Sequence, residues 1–485
     1  MILRRLASTA SATVSKFSLS PTIRQLLAHP PQPEQTTTVS GWIKSIRKQK
    51  NVTFAVITDG SSFQGLQVVL VKGKDDNLLR KVTNGASVRI TGHLVSSPGS
   101  GQSHELLVDQ SATGEVVVLG ECHPETYPIQ KQELTTEYLR DNVHLRARTS
   151  HIAATLRLRD VLQRNINSWF ETQGFYYTNT PIITGNDAEG AGEAFRLALV
   201  ESQHPAATAQ TTPIPPAEFF SRPAFLTVSH QLHLEALATA LSRVYTLSPC
   251  FRAEKSMTGR HLAEFWMLEA EWAFPSGNGV HGISDLTEAL LKETTQTVLD
   301  SEDVAFLWKD GGPQKRKVLF DAFNKQKPWA RMSYTEAILE LAKIHPLVNF
   351  VHTPLWGQPL QSEHERWLAE TLVGGPVFVT DYPAPLKPFY MRVNPDEKTV
   401  ACFDLLVPHV GELIGGSVRE ERVEVLTKKM EGIPRSEWYL DLRKYGGAPH
   451  AGFGMGFERF VSWISGVDNI RECIPMPRWT GRMLL

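Results

Sequence analysis

The segment Phe251–Glu271, which reads FRAEKSMTGRHLAEFWMLEAE, is the stretch that decides the fold of the larger part of this chain. It places two arginines, a lysine, a histidine and four glutamates among aromatic and aliphatic residues. The apolar positions predict two strands that flank a polar turn at residues 254–261. Side chains two apart on a strand share a side, so Arg252 and Glu254 are predicted to point into one cleft. A guanidinium beside a carboxylate can hold a phosphate and a purine edge together.

Composition limits the class of protein. The chain has 485 residues, which suggests about three domain-sized units. Its 41% hydrophobic and 21% charged residues are those of an ordinary soluble globular protein. The net charge of -1 means that a polyanionic partner must be met by local patches. The four cysteines form no C-x-x-C pair, which disfavours a zinc site and a disulfide framework. No apolar run is long enough to predict a membrane span.

The first 33 residues carry arginine, many serines and threonines, and no acid. This composition predicts a mitochondrial transit peptide over residues 1–33, and with it a location in the mitochondrial matrix. An ordinary disordered tail is the alternative. Pro30, Pro31 and Pro33 mark a linker before the first folded unit.

Residues 34–120 show the pattern of a small β-barrel. Asp59-Gly60 and Asn84-Gly85 are turn signals between short runs rich in valine, isoleucine and leucine. The runs that we predict as strands cover residues 39–46, 53–58, 65–71, 87–94 and 105–108. Five short strands in so short a segment favour an OB-fold.

The remainder of the chain predicts a second, larger domain. Residues 121–150 are predicted to be a linker with a short helical stretch. A helical pattern begins near Ile152, and Gly174 is its stop signal. Strands and helices then mix without a βαβ repeat, which predicts an α+β domain over residues 151–485 with an antiparallel sheet flanked by helices. The proline-, alanine- and threonine-rich segment 201–224 is predicted to be a surface insertion.

Three segments resemble, in order, the signature motifs of class II aminoacyl-tRNA synthetases. The helix that leads into Pro181 resembles motif 1, which builds the dimer interface in that family. The opening segment resembles motif 2, and GFGMGFERF at Gly452–Phe460 resembles motif 3, with Arg459 as its arginine. An OB-fold ahead of such a domain is the arrangement of the aspartyl, asparaginyl and lysyl subgroup, subclass IIb.

Further segments resemble the asparaginyl members of this subgroup. They are EGAGE at 189–193, RHLAEFW at 260–266, YPAPLKPFYMR at 382–392, LLVPHVGELIGGSVRE at 405–420 and NIRECIPMPR at 469–478. The resemblance covers roughly residues 36–485. Because several segments match in order, the simpler interpretation of the opening segment as a solvated charged hairpin is disfavoured.

The resemblance implies activation of L-asparagine by ATP, followed by transfer to the asparagine tRNA. Arg252 would hold the α-phosphate and the amino-acid carboxylate, and Glu254 would accept from the adenine amino group. Arg459 would stack on the adenine and reach the γ-phosphate, for which a planar guanidinium is suited. Arg260 and His261 would face the β- and γ-phosphates.

The resemblance also implies a magnesium site and an amino-acid pocket. Glu412 and Asp404 are oxygen donors of the kind that bind Mg²⁺ together with substrate phosphates, and Asp404 could instead be a simple surface acid. The residues implied for the amino acid are Glu189, Ser229, Gln231, Ser417 and Arg419. One departure is His230, where the family commonly has a small residue; its ring either narrows the pocket or points away from it.

In the predicted OB-fold, Phe54 and Gln67 match residues that stack on and hydrogen-bond the central anticodon base. Lysines and arginines nearby, Lys44, Arg47, Lys48 and Lys50, would hold the adjacent phosphates. Stacking of a base on an aromatic ring is worth about 1–3 kcal/mol. The alternative for Phe54 is a residue of the barrel core.

Three other interpretations stay open. One is an aspartyl enzyme, including an enzyme that does not discriminate between the two tRNAs. Another is a synthetase-like protein that binds RNA or a partner without catalysis. The third is an ammonia-dependent asparagine synthetase, which the predicted OB-fold disfavours. A homodimer is predicted because the motif 1 helix has an apolar face with no other obvious cover.

Overall fold

A computed structural model describes residues 19–71, 80–99, 101–109, 114–185, 194–198, 219–275, 277, 279–309, 313–324, 326–433 and 437–485. The chain divides into two compact units, Met1–Thr135 and Thr136–Leu485. The predicted linker 121–150 is thus shared between the two units. Most of the predicted transit peptide, Glu189 and residues 201–218 of the predicted insertion lie outside the described residues.

The first unit is a closed β-barrel. Its strands are β1 (Thr36–Lys48), β2 (Val52–Thr58), β3 (Leu66–Val71), β4 (Ser87–Ser96), β5 (His104–Asp109) and β6 (Glu115–Gly120). They run in the order β1-β2-β3-β5-β4-β6, and pairing of β1 with β4 closes the barrel. The five predicted strands are confirmed. The sequence did not reveal β6, because only Val116 in it is buried and no period of two marks it.

A short helix, Ile23–Ala28, belongs to this unit. Thr22 and Gln25 form a capping box at its start. Ile23 and Leu26 are buried in the barrel core, and the Ile23 backbone N–H donates to Asp59 Oδ2 at 2.7 Å. This helix is therefore not part of a disordered tail, because the barrel holds its two apolar side chains, and the transit peptide over residues 1–33 stays a prediction.

The second unit contains an eight-stranded sheet in the order β12-β13-β14-β15-β16-β11-β10-β7. The strands are β7 (Tyr176–Tyr177), β10 (Arg243–Phe251), β11 (Glu264–Ala273), β12 (Ala330–Ser333), β13 (Val377–Thr380), β14 (Cys402–Val407), β15 (Gly411–Val418) and β16 (His450–Gly456); β8 (Ile183–Thr184) pairs with β9 (Phe225–Leu226) apart from it. The predicted antiparallel arrangement holds through the centre, while the pairs β12–β13 and β10–β7 at the two ends are parallel.

Helices pack around this sheet. The α-helices of the second unit are Thr136–Asp141, Ser150–Thr172, Gln231–Leu241, Val280–Leu299, Glu302–Leu307, Pro313–Ala322, Tyr334–Val348, Ser362–Arg366, Val423–Lys429, Glu437–Lys444 and Phe457–Ser465. A π-helix spans Trp367–Val373, and 3₁₀ turns span Arg146–Arg148, Ala384–Leu386 and Ile470–Glu472. The architecture confirms the predicted fold class. None of the described helices combines the length and the apolar character that crossing a membrane requires.

The helix Ser150–Thr172 begins close to its predicted start, and Gly174 ends it with a φ of 73°. Its apolar stripe is buried in the chain's own core, where Phe170 stacks on Tyr245 with ring centroids 4.2 Å apart. The reason given for a homodimer, an apolar helix face without a cover, is therefore wrong. The exposed apolar side chains near this helix lie further along the chain: Tyr176, Tyr177, Ile182 and Ile183.

Candidate active site

A cavity of about 340 Å³ opens on the central strands of the large sheet. Its floor follows from strand register: Asp404 is opposite Gly415, Gly415 is opposite Gly454, and Gly454 is opposite Glu269. Residues that face each other across neighbouring strands share a side of the sheet. Gly415 and Gly454 carry no side chains, and they therefore leave open space between the carboxylates of Asp404 and Glu269. The resulting cavity brings together most of the residues that the sequence implicated.

The loop between β10 and β11 forms one end of the cavity. Arg252, Glu254, Arg260 and His261 all line it, as the sequence predicted for this polar turn. Arg252 Nη1 lies 3.9 Å from Glu254 Oε1, and the Arg252 guanidinium lies over the Phe265 ring at 5.4 Å. These side chains are part-exposed, so they can meet a ligand that enters from solvent.

His261 is held by its neighbours on this loop. Its Nδ1 lies 2.6 Å from Thr258 Oγ1, and its Nε2 lies 3.2 Å from Glu254 Oε2. Burial and the nearby arginines lower the pKa of His261, and Glu254 opposes them only in part. The imidazole is therefore neutral at pH 7 and acts as a hydrogen-bonding group.

Arg260 and Arg459 meet carboxylates from other elements. Arg260 Nη1 donates to Ser362 Oγ at 2.6 Å, and its Nη2 lies 3.4 Å from Glu365 Oε2. Arg459 Nη1 donates to the backbone carbonyl of Glu412 at 2.9 Å and lies 3.8 Å from its carboxylate. The arginines thus converge on the same end of the cavity and are already balanced by acids.

The two predicted magnesium ligands border one space. A Cβ placed on Gly415 would lie 3.5 Å from Glu412 Oε1 and 3.6 Å from Asp404 Oδ1. Asp404 is not the simple surface acid that the sequence left as an alternative. Its two carboxylate oxygens are ion-paired with Lys387 Nζ at 2.6 and 2.8 Å. Burial opposes the charge on Lys387, but Asp404 outweighs it and raises the pKa of the ammonium. Lys387, which sequence reasoning missed, is therefore a cation of the cavity wall.

The opposite end of the cavity is enclosed by buried polar groups. Ser229, Gln231 and Arg419 line it, as predicted for the amino-acid pocket. Arg419 is held by Glu271, with Nε and Nη2 at 3.1 and 2.8 Å from its two oxygens. Ser417 accepts from Arg419 Nη1 at 2.5 Å but is not part of the lining, so it supports the arginine and does not border the cavity.

Glu269 is the main residue of this end that sequence reasoning missed. It lines the cavity, is 4% exposed, and its oxygens accept from the Ser229 hydroxyl at 2.5 Å and from the His230 backbone N–H at 2.7 Å. A signal was present in the sequence, since Glu269 and Glu271 alternate on an otherwise apolar strand and must share one face.

The His230 ring points away from the cavity. Its Nδ1 lies 2.7 Å from Thr180 Oγ1, and its Nε2 lies 3.1 Å from the Pro249 carbonyl. Because a carbonyl only accepts, Nε2 donates there and Nδ1 accepts from the threonine hydroxyl. Of the two outcomes left open for this position, the ring pointing away is the one observed.

In the first unit, three of the predicted anticodon residues lie on one face of the barrel wall. Arg47 is opposite Phe54, and the Arg47 guanidinium lies over the Phe54 ring at 5.3 Å. Gln67 is opposite Val56, two residues from Phe54 on the same strand. Phe54 is half-buried, whereas its strand neighbours Thr53 and Ala55 are buried. Phe54 is therefore on the outward face of β2 and does not belong to the barrel core.

The comparison with known families agrees with this architecture. Residues 135–480 match the family described as tRNA synthetases class II (D, K and N), and residues 37–111 match the OB-fold nucleic acid binding domain. The chain belongs to the class II tRNA synthetases.

Curated relatives narrow the family. An asparagine–tRNA ligase of Microcystis aeruginosa is 45% identical over 457 residues, which are 92% of this chain and 96% of the relative. The chloroplastic/mitochondrial asparagine–tRNA ligase of Arabidopsis thaliana is 44% identical over 467 residues, which are 92% of this chain and 80% of the relative. Within its class, the chain is thus a member of the AMP-forming asparagine–tRNA ligases.

Solved structures have the same architecture. The crystal structure of asparaginyl-tRNA synthetase from Pyrococcus horikoshii complexed with asparaginyl-adenylate matches with a TM-score of 0.80 at 28% identity, covering 96% of this chain and 99% of that one. The Entamoeba histolytica asparaginyl-tRNA synthetase in complex with asparaginyl-adenylate matches with a TM-score of 0.76 at 27% identity, covering 94% and 98%.

Gly452 offers a test of the packing beneath the cavity. A Cβ there would collide with Glu271 Oε2, and it would lie 2.5 Å from the Ala270 carbonyl and 2.6 Å from Arg419 Nη2. Gly452→Ala should therefore separate the buried Glu271–Arg419 pair and destabilise the second unit by about 3 kcal/mol or more. Thermal unfolding measures the loss.

Gly454→Ala is the matched control on the same strand, because its nearest new contacts are 3.5 and 3.6 Å away. It should unfold close to the wild-type temperature. Equal loss in both variants would contradict the steric argument for Gly452.

Proposed function

We propose that the protein activates L-asparagine with ATP to asparaginyl-adenylate and then transfers asparagine to the asparagine tRNA. The observation that carries this proposal is the polarity of the enclosed end of the cavity. Arg419 presents donors there and Glu269 presents acceptors. A carboxamide has one oxygen that accepts and an amino group that donates, so it satisfies both residues. A substrate carboxylate would instead lie next to the buried carboxylate of Glu269. The groups that hydrogen-bond Glu269 are neutral donors, so no counter-ion there would offset the repulsion.

The nucleotide end supports charge neutralisation, which is most of what this phosphoryl chemistry needs from a protein. Arg252 holds the α-phosphate and the attacking carboxylate, and Glu254 accepts from the adenine amino group. Arg459 stacks on the adenine and reaches the γ-phosphate. Arg260 and His261 face the β- and γ-phosphates. These assignments rest on the family resemblance and on the convergence of the five side chains on one cavity.

The donor set of the cavity fits Mg²⁺. Glu412 and Asp404 would hold the ion, because their oxygens border the same space above Gly415 and hard cations of this kind take carboxylate and phosphate oxygens. The ion would supply neutralisation of the phosphate charge. Asp404 also keeps Lys387 in place, so of the two acids Glu412 has the freer carboxylate.

The outward face of the barrel supports recognition of the central anticodon base. Phe54 offers a ring for stacking and Gln67 offers a donor and an acceptor, with Arg47 beside them for a phosphate. Lys44, Lys48 and Lys50 add positive charge along the same stretch.

The amino-terminal composition supports a role in mitochondrial protein synthesis. The acid-free, serine- and threonine-rich residues up to about the helix at Ile23 would act as the import signal. Uptake of a reporter fused to this segment by isolated mitochondria tests the proposal, and a reporter that stays outside would contradict it.

The amino-acid proposal predicts strong ATP–pyrophosphate exchange with asparagine and little with aspartate at equal concentration. An aspartyl enzyme would show the reverse preference, and a protein without catalysis would show neither exchange.

Arg459→Lys should nearly abolish the exchange with the fold intact, since lysine keeps the charge and loses the planar fork.

Arg366→Lys is the matched control for the arginine, because Arg366 is exposed and outside the cavity lining. Exchange within threefold of wild type in Arg459→Lys would show that Arg459 does not hold the nucleotide.

Phe54→Ala should weaken aminoacylation of the asparagine tRNA by about one to two decades, the size of one lost stacking contact of 1–3 kcal/mol. Asparagine-dependent pyrophosphate exchange should stay unchanged, because no tRNA takes part in it. Val52→Ala, at a half-buried position on the same strand face, is the control for general damage to the barrel. A parallel fall of both activities would instead assign Phe54 a structural role.

We also propose a homodimer, supported by the exposed apolar side chains of Tyr176, Tyr177, Ile182 and Ile183. The chain should sediment at twice its mass at micromolar concentration, and Ile183→Asp should convert it to a monomer. Leu347→Asp changes an apolar side chain that is 82% exposed elsewhere, and it should leave the mass unchanged. A wild-type monomer that is fully active would refute the dimer.

A further inference from the structure

A buried set of ionisable side chains lies behind the enclosed end of the cavity. We call it the Glu235 cluster; its members are Glu235, Glu271, Arg419, Tyr439, Arg443 and His450. Glu235 is fully buried, and its Oε2 accepts from Tyr439 at 2.6 Å, from Arg443 at 2.8 Å and from His450 at 3.0 Å. These donors come from the helix Glu437–Lys444 and from β16, so one carboxylate joins elements distant in sequence.

Glu235 does not line the cavity, but two of its neighbours do. Gln231 Nε2 donates to Glu235 Oε1 at 3.0 Å. Arg419 Nε lies 3.9 Å from the same oxygen while Glu271 holds the rest of the guanidinium. Both residues border the space that we assign to the substrate side chain. Glu235 thus orients the contacts of the amino acid from behind.

His450 in this cluster is an imidazolium. Its Nδ1 lies 2.8 Å from the Ala448 carbonyl and its Nε2 lies 3.0 Å from Glu235 Oε2. Both neighbours only accept, so both ring nitrogens must donate, and that requires the protonated ring. Burial opposes this charge, as does Arg443, but Glu235 and Glu271 outweigh them and raise the pKa of His450. The charge is retained below that raised pKa and lost as the pH rises through it.

The charges around the substrate side chain therefore balance. The negative groups are the carboxylates of Glu235, Glu269 and Glu271. The positive groups are the guanidinium groups of Arg419 and Arg443 and the imidazolium of His450. These six groups carry three charges of each sign and leave no net charge behind the substrate side chain, and the neighbouring buried carboxylate of Glu420 is paired with Arg422 at 2.7 Å. Such a region suits a neutral side chain, since an added carboxylate would be buried without a counter-ion.

We propose that the charged members of the Glu235 cluster determine the preference for asparagine over aspartate, with Glu235 and His450 as positioning residues that also keep the site neutral. This inference rests on the proposed asparagine activation. The buried charges behind the pocket would then affect specificity together with the groups that contact the substrate.

The test compares the preference of three forms of the full-length enzyme. The preference is the inhibition constant of aspartate divided by the KM for asparagine, both from pyrophosphate exchange. His450→Gln removes one positive charge and should raise this ratio about tenfold, the effect of one charge several ångströms from the substrate side chain. The double variant His450→Gln with Glu235→Gln is neutral again and should return the ratio to within about threefold of wild type.

Tyr439→Phe is the control, because it removes a hydrogen bond to Glu235 without changing any charge; its ratio should stay at the wild-type value. If the cluster had only a structural role, the double variant would be at least as impaired as His450→Gln. The inhibition constant of aspartate and the KM for asparagine would then change by the same factor. The KM for ATP should change little in every form.

The wild type gives a second measurement that does not depend on a variant that folds. Its ratio should rise as the pH increases through the pKa of His450, while the ratio of His450→Gln stays flat. The proposal is overturned if His450→Gln leaves the ratio within twofold of wild type, or if the double variant does not restore it. Should the variants be insoluble, a wild-type ratio that is constant from about pH 6 to about pH 10 would overturn it. A wild type without asparagine-dependent exchange would instead refute the proposed function.

Discussion

The pairing of Arg419 with Glu271 is the constraint on which the site depends. Both side chains are buried, and an unpaired buried charge costs several kcal/mol, so the protein must hold them in contact. Glu271 lies on β11 and Arg419 directly follows β15, the two strands beside β16, and the side chains meet across Gly452, where any side chain would occupy the same space. Gly452 is thus required for the packing of the Arg419–Glu271 pair, independently of any contact with a substrate. The pair in turn fixes the guanidinium that borders the enclosed end of the cavity.

The two ends of the cavity differ in how their charged side chains are paired and how deeply they are buried. At the enclosed end the ionic groups are satisfied by one another, and the carboxamide side chain of the proposed substrate would add no charge there. At the open end Arg252, Arg260 and Arg459 are part-exposed, and their guanidinium groups lie 3.9, 3.4 and 3.8 Å from the carboxylates of Glu254, Glu365 and Glu412. The Arg252–Glu254 and Arg459–Glu412 pairs are long and part-exposed on both sides, and such pairs contribute little, so a phosphate could replace the carboxylate partner at small cost. Under the proposed function, burial thus distinguishes a pocket of fixed ion pairs for the amino acid from exchangeable partners for the nucleotide.

Sequence reasoning predicted the parts of this arrangement that are local. The hairpin Arg243–Ala273, the five barrel strands and the helix Ser150–Thr172 each carry a clear period or turn signal. The cavity-lining Arg252, Glu412 and Arg459 lie in motifs whose family resemblance is unambiguous. Residues that act through contacts distant in the chain were missed. Lys387 reaches Asp404, and Glu235 reaches Arg443 some two hundred residues away. No spacing within one segment encodes such a pair, since it depends on how the strands and helices are brought together.

The charges at the open end also bear on the proposed use of a divalent cation with the nucleotide. Four cations line it, Lys387 and the three arginines, together with the carboxylates of Glu254, Asp404 and Glu412. A fourth carboxylate, Glu365, lies behind the lining with Oε2 3.4 Å from Arg260 Nη2, and Glu458 of the lining is already paired with Arg159. Glu365 is largely buried, and burial with the nearby charge of Glu412 raises its pKa, so the acids already repel one another. A bare triphosphate would add several negative charges to a region without a positive excess. Glu412 and Asp404 border one space and would hold a hard cation there, and its positive charge would offset the repulsion between these acids and the phosphates of the nucleotide.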